Sequence, residues 1–218
     1  VNLRTIVEPP VEPITLEDCY LQLRLDPLGS PPTHPDDTML STMITTARTR
    51  AEQVTRRAFV QQTVRMALPG FPCRHFPGSP WGDEEGWTER DGWVELLRPP
   101  FAELLQVRYY DDDNAIQTLS PANYFTTDES FLPRLMVTSG YTWPTTYCRD
   151  DAVLIDYVVG YAPEGSPPTD YRANVPSQVK DAIKIGVQLL YDELAPEKRE
   201  QLEQTFQRLL ASFKIAKF

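Results

Sequence analysis

The chain has 218 residues, a formal net charge of −10 and a mean hydropathy of −0.40, enough length for one large domain or two small ones around a substantial core. No apolar run approaches the ~20 residues that span a bilayer, and Val1-Asn2-Leu3-Arg4 reads as no signal peptide, so the expectation is a protein made and kept in a cytoplasm. Residues 1–60, 61–160 and 161–218 carry −2, −8 and 0; a sequence-neutral DNA binder needs the reverse sign, because Lys and Arg must displace counterions.

Thr15 reads as the N-cap of a short helix near 15–24, with Asp18 reaching back as a capping box. Leu16, Cys19, Tyr20 and Leu23 form its apolar stripe. Pro27 ends it, and residues 27–35, including His34, form a rigid loop. A second helix near 38–58 follows from apolar residues at 40, 43, 44, 47, 51, 54 and 58. Asp37 is placed to be its N-cap, since a carboxylate accepts the free N–H groups of a first turn.

From 62 to 160 the period changes to two. Val64, Met66 and Leu68 alternate; so do Leu105, Val107 and Tyr109, and Val153, Ile155, Tyr157 and Val159. Turn signals separate them at Asp111-Asp112-Asp113-Asn114, Ser120-Pro121 and Ser139-Gly140. The pattern predicts antiparallel strands with one wet and one buried face. The longest irregular stretch, 69–92, holds Trp81, Asp83-Glu84-Glu85 and Trp87. A loop that long in a compact domain is unusual, and functional or disordered.

Helical spacing returns at Val179, Ile183, Gly186, Val187, Leu190 and Leu194, behind a Pro176 tolerated in a first turn. Pro196 opens a last helix near 197–212 with Leu202, Phe206, Leu209, Leu210 and Phe213 on one face. The 21 prolines cluster between these elements as stiff connectors. The fold class is therefore α+β: a helical bundle of N- and C-terminal helices (1–60 with 161–218) and an inserted antiparallel β module (61–160).

Candidate chemistry is sparse. Cys73, His75 and Asp83 supply too few ligands for zinc at recurring spacings. Cys19, Cys73 and Cys148 are odd in number and widely separated, so reduced thiols are expected. The Asp111–Asn114 run lacks the turn glycine and bidentate Glu of a calcium loop, with Ile116 and Ala122 in their places. Only His34 and His75 could serve as histidine bases, both in proline-rich loops; nucleophile elbow and glycine-rich phosphate loop are both missing. The expectation is no enzyme, no cofactor and no metal. Its rival is a carbohydrate-binding or hydrolytic β module using the Trp-rich loop and paired carboxylates.

Trp93 and Trp143 lie in or beside strands and are expected in the core. Trp81 and Trp87 are either interface anchors or a loop tucked on its own sheet. The C-terminal run Phe206, Leu209, Leu210, Phe213, Lys214, Ile215, Lys217 and Phe218 is apolar with two basic residues. It is either docked on its own bundle or a protruding anchor for a partner.

The order of several pieces resembles the tailed-phage head–tail connector (adaptor, or head-completion) family. Those pieces are Thr15-Leu16-Glu17-Asp18, Leu21-Gln22-Leu23-Arg24-Leu25-Asp26, Asp36-Asp37, Ala47-Arg48, Ala51-Glu52 and the Thr55-Arg56-Arg57-Ala58 close. Leu96-Leu97-Arg98-Pro99-Pro100, Val107-Arg108-Tyr109-Tyr110, Trp143-Pro144, Tyr157–Tyr161 and Pro176 with Lys180, Ala182 and Ile183 continue the order. The match spans most of residues 11–194. Departures are the length of 69–92 and Arg56-Arg57, where the family often has Gly-Arg. The resemblance implies a structural virion protein, assembled in the host cytoplasm, that forms a ring (dodecameric by analogy) under the portal protein. That ring would extend the DNA channel without binding DNA specifically, and would meet a tail or stopper protein away from any membrane. It implies that the C-terminal segment from Phe206 to Phe218 grips the portal or a neighbouring copy and that Trp81 and Trp87 face the tail. A tail-side or stopper protein of the same neck is the alternative role.

Overall fold

A computed structural model describes residues 1–72, 92–127, 132–165 and 167–215. The chain divides into two compact units: Val1–Glu8 with Gln62–Val159, and Pro9–Gln61 with Gly160–Phe218. The class is α+β, with antiparallel sheets and four α-helices among the described residues.

The β unit is organised by a five-stranded antiparallel sheet. Its strands are β1 (Asn2–Val7), β2 (Gln62–Leu68), β4 (Phe101–Tyr110), β5 (Ile116–Thr118) and β8 (Val153–Val159), in the order β1-β2-β8-β4-β5. β2 and β8 pair without interruption from Gln62↔Val159 to Leu68↔Val153. Strict alternation puts Val64, Met66 and Leu68 inside and leaves Thr63, Arg65 and Ala67 half-exposed on the other face. A three-stranded sheet of β3 (Val94–Glu95), β7 (Arg134–Val137) and β6 (Tyr124–Thr127) buries Val94 and Leu135.

Two sequence expectations change here. The 1–60 grouping places residues 2–7 with the helices; they form an edge strand paired to β2, as the β-branched Thr5-Ile6-Val7 run favours. Strict alternation predicts that Leu105 shares a face with Val107 and Tyr109. Two register irregularities in β4, the second between Leu104 and Gln106, break the alternation, so Leu105 is exposed while Val107 is buried. Such bulges insert an unpaired residue and turn the side chains after it. Trp143 is half-buried, stacked on Phe71 at 4.5 Å with its indole N–H donating to the Gly92 carbonyl at 2.6 Å. Trp93 is also half-buried, under the guanidinium of Arg134.

The helical unit contains α1 (Leu16–Leu23), α2 (Asp37–Thr55), α3 (Ser177–Tyr191) and α4 (Pro196–Leu210), followed by a 3-10 turn at Ala211–Phe213. Leu40, Ile44, Ala47 and Ala51 of α2 meet Val179, Ile183 and Val187 of α3 and Phe206 and Leu210 of α4 in one buried cluster. α2 and α3 cross closely at Gly186, where a Cβ would stand 2.9 Å from the Ala47 Cβ. Thr15 and Asp18 cap α1 reciprocally, as the sequence predicts. At α2 the N-cap is Asp36, not Asp37, and it makes no side-chain cap bond. Asp37 instead turns back to the preceding loop, accepting the His34 N–H at 3.0 Å and the Tyr20 hydroxyl. The competing loop donors took the carboxylate that the helix start was expected to use.

Candidate assembly surfaces

The C-terminal segment is fastened to its own unit through Ile215. Phe206 and Leu210 are fully buried, and Leu209 and Phe213 pack against the same cluster. Arg57 Nε donates to the Phe213 carbonyl at 2.8 Å, and the Ile215 N–H donates to the Thr55 carbonyl at 3.1 Å. Lys214 Nζ reaches Gln207 Oε1 at 3.1 Å. This corrects the expectation that the segment leaves the body from Phe206 onward: its apolar face covers α2 and α3 and is no open patch. Amphipathic spacing alone cannot say whose core a helix completes. Lys217 and Phe218 lie outside the described residues, as do Trp81, Trp87, Cys73, His75 and Asp83.

The Asp111–Asn114 run is a hairpin turn between β4 and β5. Asp111 Oδ1 accepts from the N–H groups of Asp113 and Ala115, and Oδ2 from Gln117 Nε2 at 2.7 Å. The Gln117 bond and these backbone donors hold its carboxyl below the usual range. Oxygens so engaged are turn acceptors. Among the described residues no group of three or more His, Cys, Asp or Glu could hold a metal ion.

Around His34 the helical unit gathers a polar cluster. Tyr20 donates to Asp37, Tyr191 donates to Asp36 Oδ2 at 2.8 Å, and the Asp36 N–H donates to His34 Nδ1 at 3.2 Å. The bond to Asp37 pushes the Tyr20 phenol up to about 12. These bonds tie α1, α2 and α3 to the proline-rich loop. The histidine accepts a backbone N–H and is a structural acceptor in this state.

A constellation that the sequence did not reveal lies on the half-exposed face of the five-stranded sheet. Asp156 of β8 is buried and accepts four bonds from two neighbouring strands. Arg65 of β2 gives Nε at 2.6 Å and Nη2 at 2.8 Å, Gln106 of β4 gives Nε2 at 2.8 Å, and Arg108 gives Nη2 at 3.1 Å. Burial alone would raise the Asp156 carboxyl; the bonds from Arg65 and Gln106 and the charges of Arg65 and Arg108 outweigh it and hold it low. At the sheet's end Arg149 grips Asp151 with Nε at 2.6 Å and Nη2 at 2.9 Å, its guanidinium 3.7 Å from the Tyr110 ring centroid. Beside Arg65, directly across the β1–β2 pair, stands the exposed Arg4. A shallow depression of about 140 Å³ lies there, lined by Asn2, Arg4, Arg65, Ala67, Asp151 and Leu154. Alternation places Arg65 and Asp156 on the wet face of their strands, but only the pairing register brings them together.

Solved structures match the fold over the whole chain. One is described as the neck of an empty gene transfer agent (GTA) particle computed with C6 symmetry, at TM-score 0.68 and 18% identity. A second is the neck of the native GTA particle computed with C12 symmetry, at 0.64 and 16%. The fold is one found in the neck of gene transfer agent particles. A third, from the virion of the native GTA particle, matches at 0.69 and 17%. Each match covers 100% of this chain and 97% of that chain. No protein-family model matches the sequence, and no curated protein matches it.

Proposed function

We propose that this chain is a structural component of the neck of a tailed, phage-like particle: several copies form a ring under the capsid portal that joins head to tail and surrounds the DNA channel. The observation that carries the reading is the end-to-end agreement of both units with chains from neck and virion structures. A shared core alone would leave one unit or the other unmatched. The order of sequence pieces that resembles the head–tail connector family points the same way. In this role the helical bundle and the inserted β module are scaffolds that present surfaces, and the work is mechanical rather than catalytic.

The C-terminal segment enters this reading with Phe206 and Leu210 withdrawn as contacts, because they complete the subunit's own core. Lys214 is exposed at the end of the docked helix and is the residue from which a portal contact would start. A surface of net negative charge suits a channel wall that DNA passes without adhering.

The test is reconstitution with the portal. Purified portal rings mixed with this protein should give a second ring seated on the portal, visible in cryo-electron micrographs and as a larger species by sedimentation. Failure to bind the portal, together with binding to isolated tail tubes, would reassign the chain to the tail side.

A further inference from the structure

Beside the Asp156 network, the half-exposed face of the five-stranded sheet carries a further cation, Arg4. Arg4 and Arg65 face each other on adjacent antiparallel strands, a like-charge pairing that costs stability. Both nearby carboxylates are already engaged, Asp156 by Arg65 and Arg108 and Asp151 by Arg149. Among the described residues no carboxylate pairs with Arg4. Arg65 gives only two of its three nitrogens to Asp156, and a guanidinium has five N–H donors to give. The depression beside them, which Asp151 also lines while engaged by Arg149, presents unused cationic donors on a chain whose net charge is −10.

The helical unit presents a matching acceptor. Glu197 and Glu200 stand exposed in the first turns of α4, one turn apart, on a face continued by Gln201 and Gln204. Glu203, by contrast, is taken by Arg50. Residues three apart on a helix hold their Cβ atoms about 5–6 Å apart, and residues opposite each other on antiparallel strands hold theirs about 4.5–5.5 Å apart. Two glutamates and two arginines whose Cβ atoms stand at such similar spacings can meet in a single docking.

The geometry points to a second copy of this chain as the occupant: Glu197 and Glu200 on α4 of one subunit dock on Arg4 and Arg65 of the next. The two patches are different surfaces of one chain, so the contact is heterologous, and its repetition closes a ring when the rotation allows. This inference rests on the neck-ring reading and specifies the contact that builds the ring. Charge pairs of this kind set register and exclude wrong partners.

The experiment is a charge swap on the full chain, with ring formation on portal followed by native mass spectrometry and electron microscopy. Arg4→Glu places a carboxylate opposite Arg65, so the subunit's thermal midpoint should stay or rise. Ring formation should nevertheless need roughly tenfold more protein, as it should for the double variant Glu197→Arg/Glu200→Arg. Combining Arg4→Glu with a single reversal on α4, Glu197→Arg or Glu200→Arg, should restore assembly for the carboxylate that meets Arg4. A purely structural role for Arg4 would instead lower the midpoint and would not be rescued from α4. Wild-type-like assembly of the single-patch variants, or no rescue in either combination, overturns the inference while leaving the ring standing. Loss of duplex DNA retention by Arg4→Glu with assembly intact also overturns it, by assigning the face to phosphate. A wild-type protein that stays monomeric on the portal overturns both the ring and this contact.

Discussion

Each unit buries an ion pair, and the two pairs are built differently. In the helical unit Arg48 and Glu52 are four residues apart on α2, joined at 3.0 Å. Arg48 reaches Glu12 at 2.8 Å, while Glu52 accepts the Phe59 N–H at 3.0 Å. In the β unit Asp156 draws on Arg65, Gln106 and Arg108, which lie 91, 50 and 48 residues away in the chain. The first arrangement forms largely as its helix forms; the second exists only when three strands are in register. A one-residue slip of β2 against β8 would carry Arg65 to the apolar face and strand the carboxylate. The Asp156 network therefore specifies the sheet, where Arg48 and Glu52 decorate a helix already specified by its apolar stripe.

The largest expected effects are a matched pair that should split the two units. Asp156→Ala leaves Arg65 and Arg108 facing each other without their carboxylate and should cost about 3–5 kcal/mol. The loss should be read as faster amide exchange in β2, β4 and β8, with α2 and α3 unchanged. Acid sharpens the same contrast. Because the folded carboxyl is held below its unfolded value, its contribution is present above the unfolded pKa, about 3.9. It is lost as pH falls through the folded pKa. The stability difference between wild type and Asp156→Asn should thus shrink as pH falls below about 4. A difference independent of pH would mean that the carboxylate is not the stabilising group.

Phe206→Ala should cost a comparable 3–5 kcal/mol, roughly, but in α2, α3 and α4, since its ring fills the cluster beside Ala47 and Gly186. A variant that stays as stable as the parent while failing on the portal would restore the role of an exposed anchor to Phe206. Comparing the exchange maps of the two variants tests whether the units lose stability separately.

Much of this was legible in the sequence because it is local. The stripes at 40, 44, 47 and 51 and at 179, 183 and 187 define α2 and α3, and Thr15 with Asp18 defines a cap that forms as its spacing predicts. The alternation at 64, 66 and 68 gave the wet and buried faces of β2. What could not be read is non-local. β4's bulges reverse Leu105 because of its pairing with β8, and Asp37 is taken from the helix start by a tyrosine 17 residues upstream. The candidate site divides along the same line. Phe206 and Leu210 had the spacing of an apolar face, but spacing does not name the partner. Arg4, Arg65 and Asp156 looked like ordinary wet-face residues until register assembled them.

The smallest effect comes from the end of α2, where the sequence departs from the connector pattern. Arg56 is the C-cap with φ 59, in the left-handed region, where a Cβ crowds the carbonyl and a non-glycine residue loses about 1–2 kcal/mol. The pattern's usual glycine would remove that strain. It would also enlarge the freedom of the unfolded chain, which returns roughly 0.4–1 kcal/mol to the unfolded state. Because the Arg56 side chain is exposed, little packing is lost with it. Arg56→Gly should therefore stabilise the helical unit by about 0.5–1 kcal/mol, seen as a small rise in denaturation midpoint with an unchanged slope. Arg56→Ala keeps the Cβ and should give no such gain. If glycine instead destabilises, the guanidinium holds a contact worth more than the strain, and the departure from the family pattern has its cause there. If both substitutions are neutral, the α2 terminus is relaxed in solution and the left-handed cap carries no strain to relieve.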